Sequence, residues 1–307
     1  MGSSIRVDTL GKNALRVLPR LNEAINEEWI SDKSRFAIDG LSRQRIDTPY
    51  IKDNNKLIET DWDSALKKIV SEINIRNKEK TTAISGKFTD VETLYATKKF
   101  LESLSSNYYD CRYDNVQFKK DKRESYLFNS SIQQLDEADA ILIVGSNPRW
   151  EASVLNTRIR KAYLHNDCKI GLIGKSLDLT YKYNHLSECL CFLNEIFEGK
   201  SSFCEILQKA KKSFIIIGNS AINGEDGEDV LDLCAQITKQ FKITKDNWNG
   251  FNILQQDISK VGALDIKFYN NEFSANFNKN VKTHLDTYKP VVFLLGSDEL
   301  DHSILKN

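Results

Sequence analysis

Six cysteines and four histidines are the residues of this chain best able to grip a metal or attack a substrate, and their spacing argues against both. The cysteines stand at 111, 168, 189, 191, 204 and 234, and only Cys189 and Cys191 are close. C-x-C is neither a C-x-x-C redox pair nor half of a zinc site. The six are therefore read as reduced thiols acting as small apolar side chains. His165, His185, His284 and His302 form no H-E-x-x-H or H-x-x-x-H and read as helix-end or surface residues. Gly174-Lys175-Ser176 resembles the end of a P-loop, but that pattern needs Gly at 169, where Lys169 stands. No G-x-G-x-x-G follows an apolar run, and Gly218-Asn219-Ser220 continues into Ala221-Ile222 instead of forming a G-x-S-x-G elbow. The acidic stretch from Gly224 to Asp229 lacks calcium-loop spacing and reads as the charged start of a helix. Arg158, Arg160 and Lys161 read as a solvated or interfacial helix face.

What remains is a set of small residues behind apolar runs: Gly145-Ser146-Asn147, Gly174-Lys175-Ser176, Gly218-Asn219-Ser220 and Gly296-Ser297-Asp298. In an open α/β sheet a ligand sits outside the carboxyl ends of the strands. The same residue types also end strands and cap the next helix. The residues alone leave both roles open.

The elements that must position these residues follow from periodicity. Continuous apolar runs at Thr82–Gly86, Ile141–Ser146, Ile170–Ser176, Phe214–Ser220 and Val291–Ser297 read as strands buried on both faces, the parallel-sheet pattern. Between them, Trp62, Ala65, Leu66, Ile69 and Ile73 recur at helical spacing behind a Thr60/Asp63 capping box. Further helices are expected from Thr89 to Leu104, from Glu151 to His165, and near Ser187–Phe197, Ser202–Lys211 and Asp226–Phe241. Ile5–Asp8 and Ala14–Leu18 read as a β-hairpin, and the Asn-rich stretch from 270 to 280 as a loop. The expected fold is α/β: a doubly wound, mostly parallel sheet over residues 51–307, preceded by a small β subdomain over residues 1–50.

Composition narrows the function. Hydrophobic residues at 40% permit a sizeable core, and 43 basic residues balance 43 acidic ones. Zero net charge argues against attachment to nucleic acid or an anionic membrane mainly through charge. It suits a subunit held in an assembly. No apolar run approaches the roughly 20 residues of a membrane span, and the first residues read as no targeting segment.

Two sets of residues carry a resemblance. Val144-Gly145-Ser146-Asn147-Pro148-Arg149-Trp150-Glu151-Ala152 with Asn156–Lys161 resembles the strand-to-helix turn of molybdopterin oxidoreductases. More narrowly, Leu18–Glu23, Ile25–Phe36, Asp39–Leu41 with Arg43–Arg45, Arg158–Lys161, Leu164–Asp167, Asp178–Tyr181 and His185-Leu186 resemble the large iron–sulfur subunit of respiratory complex I. The resemblance runs from residue 2 to about 296 and implies the molybdopterin-oxidoreductase-like fold. Members of that family carry a ferredoxin-like cluster region first, and this chain is read as starting just after it and stopping short at the other end. Ser31 falls where related enzymes place a fourth cluster cysteine, and Ser153 near a usual His-Pro. A hydroxyl is a poor ligand for cluster iron.

The resemblance thus implies a structural, cofactor-free subunit of the peripheral arm of NADH:ubiquinone oxidoreductase, with no catalytic, cofactor-binding or metal residue of its own. Iron–sulfur clusters and FMN are expected in partner subunits, above all the chain carrying the ferredoxin-like region. Residues 1–45 are the expected contact surface. The implied location is the matrix side of the mitochondrial inner membrane. One alternative is a molybdopterin-dependent oxidoreductase of the formate-dehydrogenase type, with Cys111 as its only plausible thiol ligand. Another is a nucleotide-binding module using the strand-end glycines.

Overall fold

The structure, a computed structural model, describes residues 2–273 and 276–296. In chain order, β1 (Ile5–Leu10) and β2 (Asn13–Pro19) form an antiparallel hairpin turned at Gly11, and α1 (Asp32–Phe36) follows. A second hairpin joins β3 (Tyr50–Asp53) to β4 (Lys56–Glu59). Next come α2 (Trp62–Ile75), β5 (Thr82–Ser85), α3 (Val91–Ser103), β6 (Tyr108–Asp110) and β7 (Ala140–Val144). The chain continues through α4 (Pro148–Glu151), α5 (Ser153–Asn166), β8 (Lys169–Ile173) and β9 (Asn184–Ser187). It proceeds through α6 (Phe192–Phe197), α7 (Phe203–Lys209), β10 (Ser213–Gly218) and α8 (Gly227–Gln240). A short hairpin of β11 (Thr244–Lys245) and β12 (Trp248–Asn249) leads to β13 (Phe251–Leu254), α9 (Lys260–Asp265), α10 (Phe277–Tyr288) and β14 (Val292–Leu295).

Two compact units emerge, and each is discontinuous in sequence. One comprises residues 1–42 and 116–256, the other residues 43–115 and 257–307. This division crosses the consecutive segments 1–50 and 51–307 read from the sequence. The antiparallel β1–β2 hairpin near the amino terminus is the small β element expected there, and residues 1–42 cluster with the unit built on β7.

The first unit holds a five-stranded sheet in the order β13-β10-β7-β8-β9, with every neighbouring pair parallel. The chain starts at β7, winds outward through β8 and β9, then returns to β10 on the other side. That reversal is the doubly wound topology, and β7 is its switch point. β7 and β10 are buried along their whole length, as their unbroken apolar sequences require. Two apolar layers sandwich the sheet. Leu142, Val144, Ile215 and Ile217 face Leu231, Cys234 and Ile237 of α8. Ile141, Ile143, Phe214 and Ile216 face Leu155, Ile159 and Ala162 of α5.

The second unit holds a three-stranded parallel sheet, β14-β5-β6, with Ile84, Tyr108, Phe273, Phe277 and Val281 at its centre. The five apolar runs are all parallel strands, as the sequence indicates, but they are shared between two sheets. Both long helices after polar starts begin one residue later than their sequence signals. Asp61, not Thr60, accepts the Ser64 N–H at 2.8 Å, and Asp90, not Thr89, accepts the Thr93 N–H at 2.7 Å. An aspartate on the turn competes well with a neighbouring threonine for the cap. The stretch from 270 to 280 is not a plain loop, because Phe273 and Phe277 are buried and the latter opens α10.

Candidate functional site

The switch point puts the turn after β7 where this architecture would receive a ligand. Gly145 takes a left-handed φ of 57°, open to glycine at little cost. A Cβ there would lie 2.6 Å from the Cβ of Ala221, and a Cβ on Gly218 would lie 2.3 Å from the Gly145 carbonyl oxygen. The glycines that end β7 and β10 therefore pack against the chain itself. Gly174, ending β8, approaches the same backbone, with Gly145 Cα 3.7 Å from its Cβ position. The Glu151 carboxylate reaches back into the turn. It accepts the Asn147 N–H at 2.9 Å and the Ser146 hydroxyl at 2.7 Å. The Ser220 hydroxyl donates to the Gly145 carbonyl. The side-chain oxygens of Asn147 and Asn219 are buried and accept no protein hydrogen bond among the described residues.

The other strand-end residues hold the turn geometry. His185 places Nε2 2.8 Å from the Gly174 carbonyl. Ser176 and Leu177 lie against the Tyr183 hydroxyl, with the Leu177 N–H donating to it at 2.7 Å. Arg149 pairs with the exposed Asp178, whose carboxyl is held low by the Thr180 N–H and by Arg149. Ser297, Asp298 and His302 lie outside the described residues.

Metal ligation fares no better. Among the described residues no three His, Cys, Asp or Glu side chains are placed to hold a metal ion. Cys111 follows β6 and is buried; burial pushes its thiol up to about 12, so it is protonated and a poor metal ligand. Around it stands a paired polar cluster. Lys260, itself buried, donates to the Cys111 carbonyl at 2.9 Å and to Asp114 at 2.7 Å. Arg112 holds Asp110 at two points, 3.0 and 2.7 Å. Burial raises the Asp257 carboxyl, which accepts the Tyr113 hydroxyl at 2.9 Å. Cys168, Cys204 and Cys234 are buried too, with thiols pushed upward by desolvation. Cys189 and Cys191 are exposed and joined as a disulfide, which corrects the reading of all six as reduced thiols. His284 corrects another: it lies inside α10, buried, with Nε2 3.0 Å from the Thr82 hydroxyl.

The largest departure from the sequence reading is Arg158. It is not a solvated face residue, being only 2% exposed. Its guanidinium donates to Glu27 at 2.9 Å, to Asp136 at 2.6 Å and to the Glu23 carbonyl. Lys161, one helical turn on, reaches the same two carboxylates at 2.6 and 3.2 Å. Asn26, 1% exposed, accepts the Ser4 N–H and donates toward the carbonyls of Arg20, Glu27 and Trp29. The Arg158 and Lys161 bonds key residues 23–27 to α5 within the first unit, and Asn26 holds that segment together. A buried arginine needs carboxylate and carbonyl partners, and two of them here, Glu27 and the Glu23 carbonyl, come from residues more than 100 positions away, invisible to local periodicity.

Several large apolar side chains of the first 42 residues stand exposed. Leu10, Leu15, Leu21, Trp29, Phe36 and Leu41 are each more than half exposed. Ser31 caps α1 by accepting the Ser34 N–H.

Comparison with known proteins places this geometry. Residues 45–304 match the family described as molybdopterin oxidoreductase. Residues 1–39 match the family described as NADH-ubiquinone oxidoreductase NDSU1/NuoG-like, 4Fe-4S domain. The latter match contains no cysteine and no histidine, since the first cysteine is Cys111 and the first histidine His165. It therefore offers no thiolate to an iron–sulfur cluster. The chain is 39% identical to the G subunit of the NADH-quinone oxidoreductase of Rickettsia bellii, over 100% of its own length and 43% of that protein. It is 38% identical to the NADH-ubiquinone oxidoreductase 75 kDa subunit of Reclinomonas americana, over 98% of its own length and 45% of that protein. The chain thus spans under half the length of these relatives. Acetylene hydratase from Pelobacter acetylenicus shares the fold, with a TM-score of 0.64 at 13% identity, covering 97% of this chain and 55% of the enzyme. On the match over residues 45–304, the chain belongs to the molybdopterin oxidoreductase family.

Proposed function

We propose that this chain is a structural, cofactor-free component of the peripheral arm of an NADH:quinone oxidoreductase, on the matrix side of the mitochondrial inner membrane. Electron transfer in that assembly runs through iron–sulfur clusters and FMN held by partner chains. Its relatives among the G and 75 kDa subunits support the assembly. The observation that carries the reading is the first 42 residues. They match a cluster-domain family over residues 1–39 without supplying a thiolate, and several of their large apolar side chains are exposed. A surface of that kind fits packing against the polypeptide that holds the clusters, over an obligate-type interface of order 2,000 Å² or more. The work done there is burial: excluding water beside the partner's clusters and bracing the arm.

The test is co-migration on a native gel. The full chain, tagged, should travel with an NADH-oxidising, iron-rich band. Migration apart from that band refutes the assignment. A molybdopterin-dependent oxidoreductase of the formate-dehydrogenase type is the competing reading. The protonated, buried Cys111 and the self-packed turn after β7 weigh against it.

A further inference from the structure

The disulfide of Cys189 and Cys191 lies on the surface, between β9 and α6, with both residues exposed. The other four cysteines are buried. Burial pushes the thiols of Cys111, Cys168 and Cys234 up to about 12 and raises that of Cys204. A protonated, enclosed thiol is no nucleophile for a disulfide. Any exchange at the exposed pair therefore needs a thiol from outside the chain.

A disulfide stabilises a fold chiefly by closing a loop of the unfolded chain, and least when that loop is short. This one joins residues two positions apart. Hydrogen bonds already fasten the same turn. The Cys189 N–H donates to the Ser187 hydroxyl at 3.0 Å, and the Phe192 N–H donates to the Cys189 carbonyl at 3.2 Å. A staple is thus little needed here. The two sulfurs also differ. The Cys191 N–H donates to Cys189 Sγ at 3.1 Å, and among the described residues Cys191 Sγ accepts no such bond. An N–H aimed at a sulfur steadies the negative charge that sulfur takes on when the bond breaks. Cys189 is then the better leaving sulfur and Cys191 the one attacked.

We propose that Cys189–Cys191 is a thiol–disulfide exchange site for a small-molecule thiol, with Cys191 the sulfur that carries the mixed disulfide. A thiolate RS⁻ attacks Cys191 Sγ, the Cys189–Cys191 bond breaks, and its electron pair leaves on Cys189, which takes up a proton. A second RS⁻ attacks the R sulfur of the mixed disulfide. R–S–S–R forms, and Cys191 leaves as a thiolate that is protonated in turn. Two thiols give up two electrons and two protons, and the pair gains them. Run backwards, R–S–S–R restores the bond. The site stands whatever assembly the chain joins.

The experiment treats the full native chain with about 5 mM glutathione, quenches with acid at intervals, alkylates, and locates each modification by mass spectrometry. Cys189 and Cys191 should open while the four buried cysteines stay unlabelled. At early times glutathione should sit on Cys191 in about threefold excess or more over Cys189. Oxidised glutathione should close the pair again. The double variant Cys189→Ser, Cys191→Ser should keep its urea midpoint within about 0.5 M of wild type. A pair that stays closed in glutathione, or that oxidised glutathione does not re-form, overturns the exchange site. Glutathione shared equally, or found mainly on Cys189, overturns the role given to Cys191. A larger fall in the urea midpoint makes the bond a structural staple and overturns the proposal.

Discussion

Replacing Arg158 with alanine should unlatch the amino-terminal segment while leaving the sheet intact. The side chain is 2% exposed and donates to Glu27, Asp136 and the Glu23 carbonyl. Removing one partner of a buried ion pair costs about 3–5 kcal/mol, because the remaining charge stays desolvated. Two features reduce that here. Glu27 and Asp136 each keep 22% side-chain exposure, and Lys161 stays within 2.6 and 3.2 Å of them. The expected loss is therefore about 2–3 kcal/mol. Arg158→Lys should recover only part of it, since a single ammonium cannot reach carboxylates and carbonyl together. Urea denaturation gives the magnitude, and hydrogen exchange gives the place. The Glu27 amide, bonded to the Asn22 carbonyl at 2.7 Å, and the Trp29 amide, bonded to the Asn26 carbonyl at 2.9 Å, should lose protection. Amides of β7 and β10 should not. A variant within about 0.5 kcal/mol of wild type, the usual range for a surface change, with Glu27 and Trp29 still protected, would refute the latch. With residues 1–42 as the proposed contact surface, the same variant should also weaken co-migration with the oxidoreductase band.

Other outcomes follow from single sites. Gly218→Ala places a carbon 2.3 Å from a backbone carbonyl that cannot swing away, and should cost about 3 kcal/mol or more by thermal or urea melting. After reduction, alkylation of the native chain should label Cys189 and Cys191 alone; Cys111, Cys168, Cys204 and Cys234 should react only on unfolding, as read by mass spectrometry. Burial among Tyr108, Phe273 and Tyr288, with Lys80 nearby, lowers the His284 pKa. The unfolded chain therefore binds the proton more readily. Stability should fall as pH drops below about 6.5 and level off beneath the folded-state value. His284→Gln should flatten that slope in urea midpoints measured across the range.

The parallel strands were legible because burial on both faces writes itself as unbroken apolar sequence, as in Ile141–Val144 and Phe214–Ile217. The strands the sequence concealed lack that signature. β6 is three residues of Tyr-Tyr-Asp, and β9 is Asn-His-Leu-Ser, half exposed at a sheet edge. The discontinuous division was hidden for a related reason: pairing of β14 with β5 joins residues about 200 positions apart, and no local pattern encodes it. α2 carries the expected apolar stripe, yet Trp62, Leu66 and Val70 are exposed, so its amphipathic spacing marks an outward face rather than the core. At the candidate site, the glycines and the Ser-Asn pair were visible as strand ends. What they do was not, because Glu151 and Ala221 decide it, and a glutamate four residues past a turn looks like any helix residue. The burial of Arg158 was equally hidden, because charge on an amphipathic helix signals solvent unless its partners are known.

Metal analysis of this chain, after its release from a native NADH-oxidising complex, bears most directly on the reading as cofactor-free scaffold. Iron should leave with the partner polypeptides, and the released chain should hold neither iron nor molybdenum in stoichiometric amount. Iron at cluster stoichiometry, or a molybdenum centre retained on these 307 residues, would contradict it.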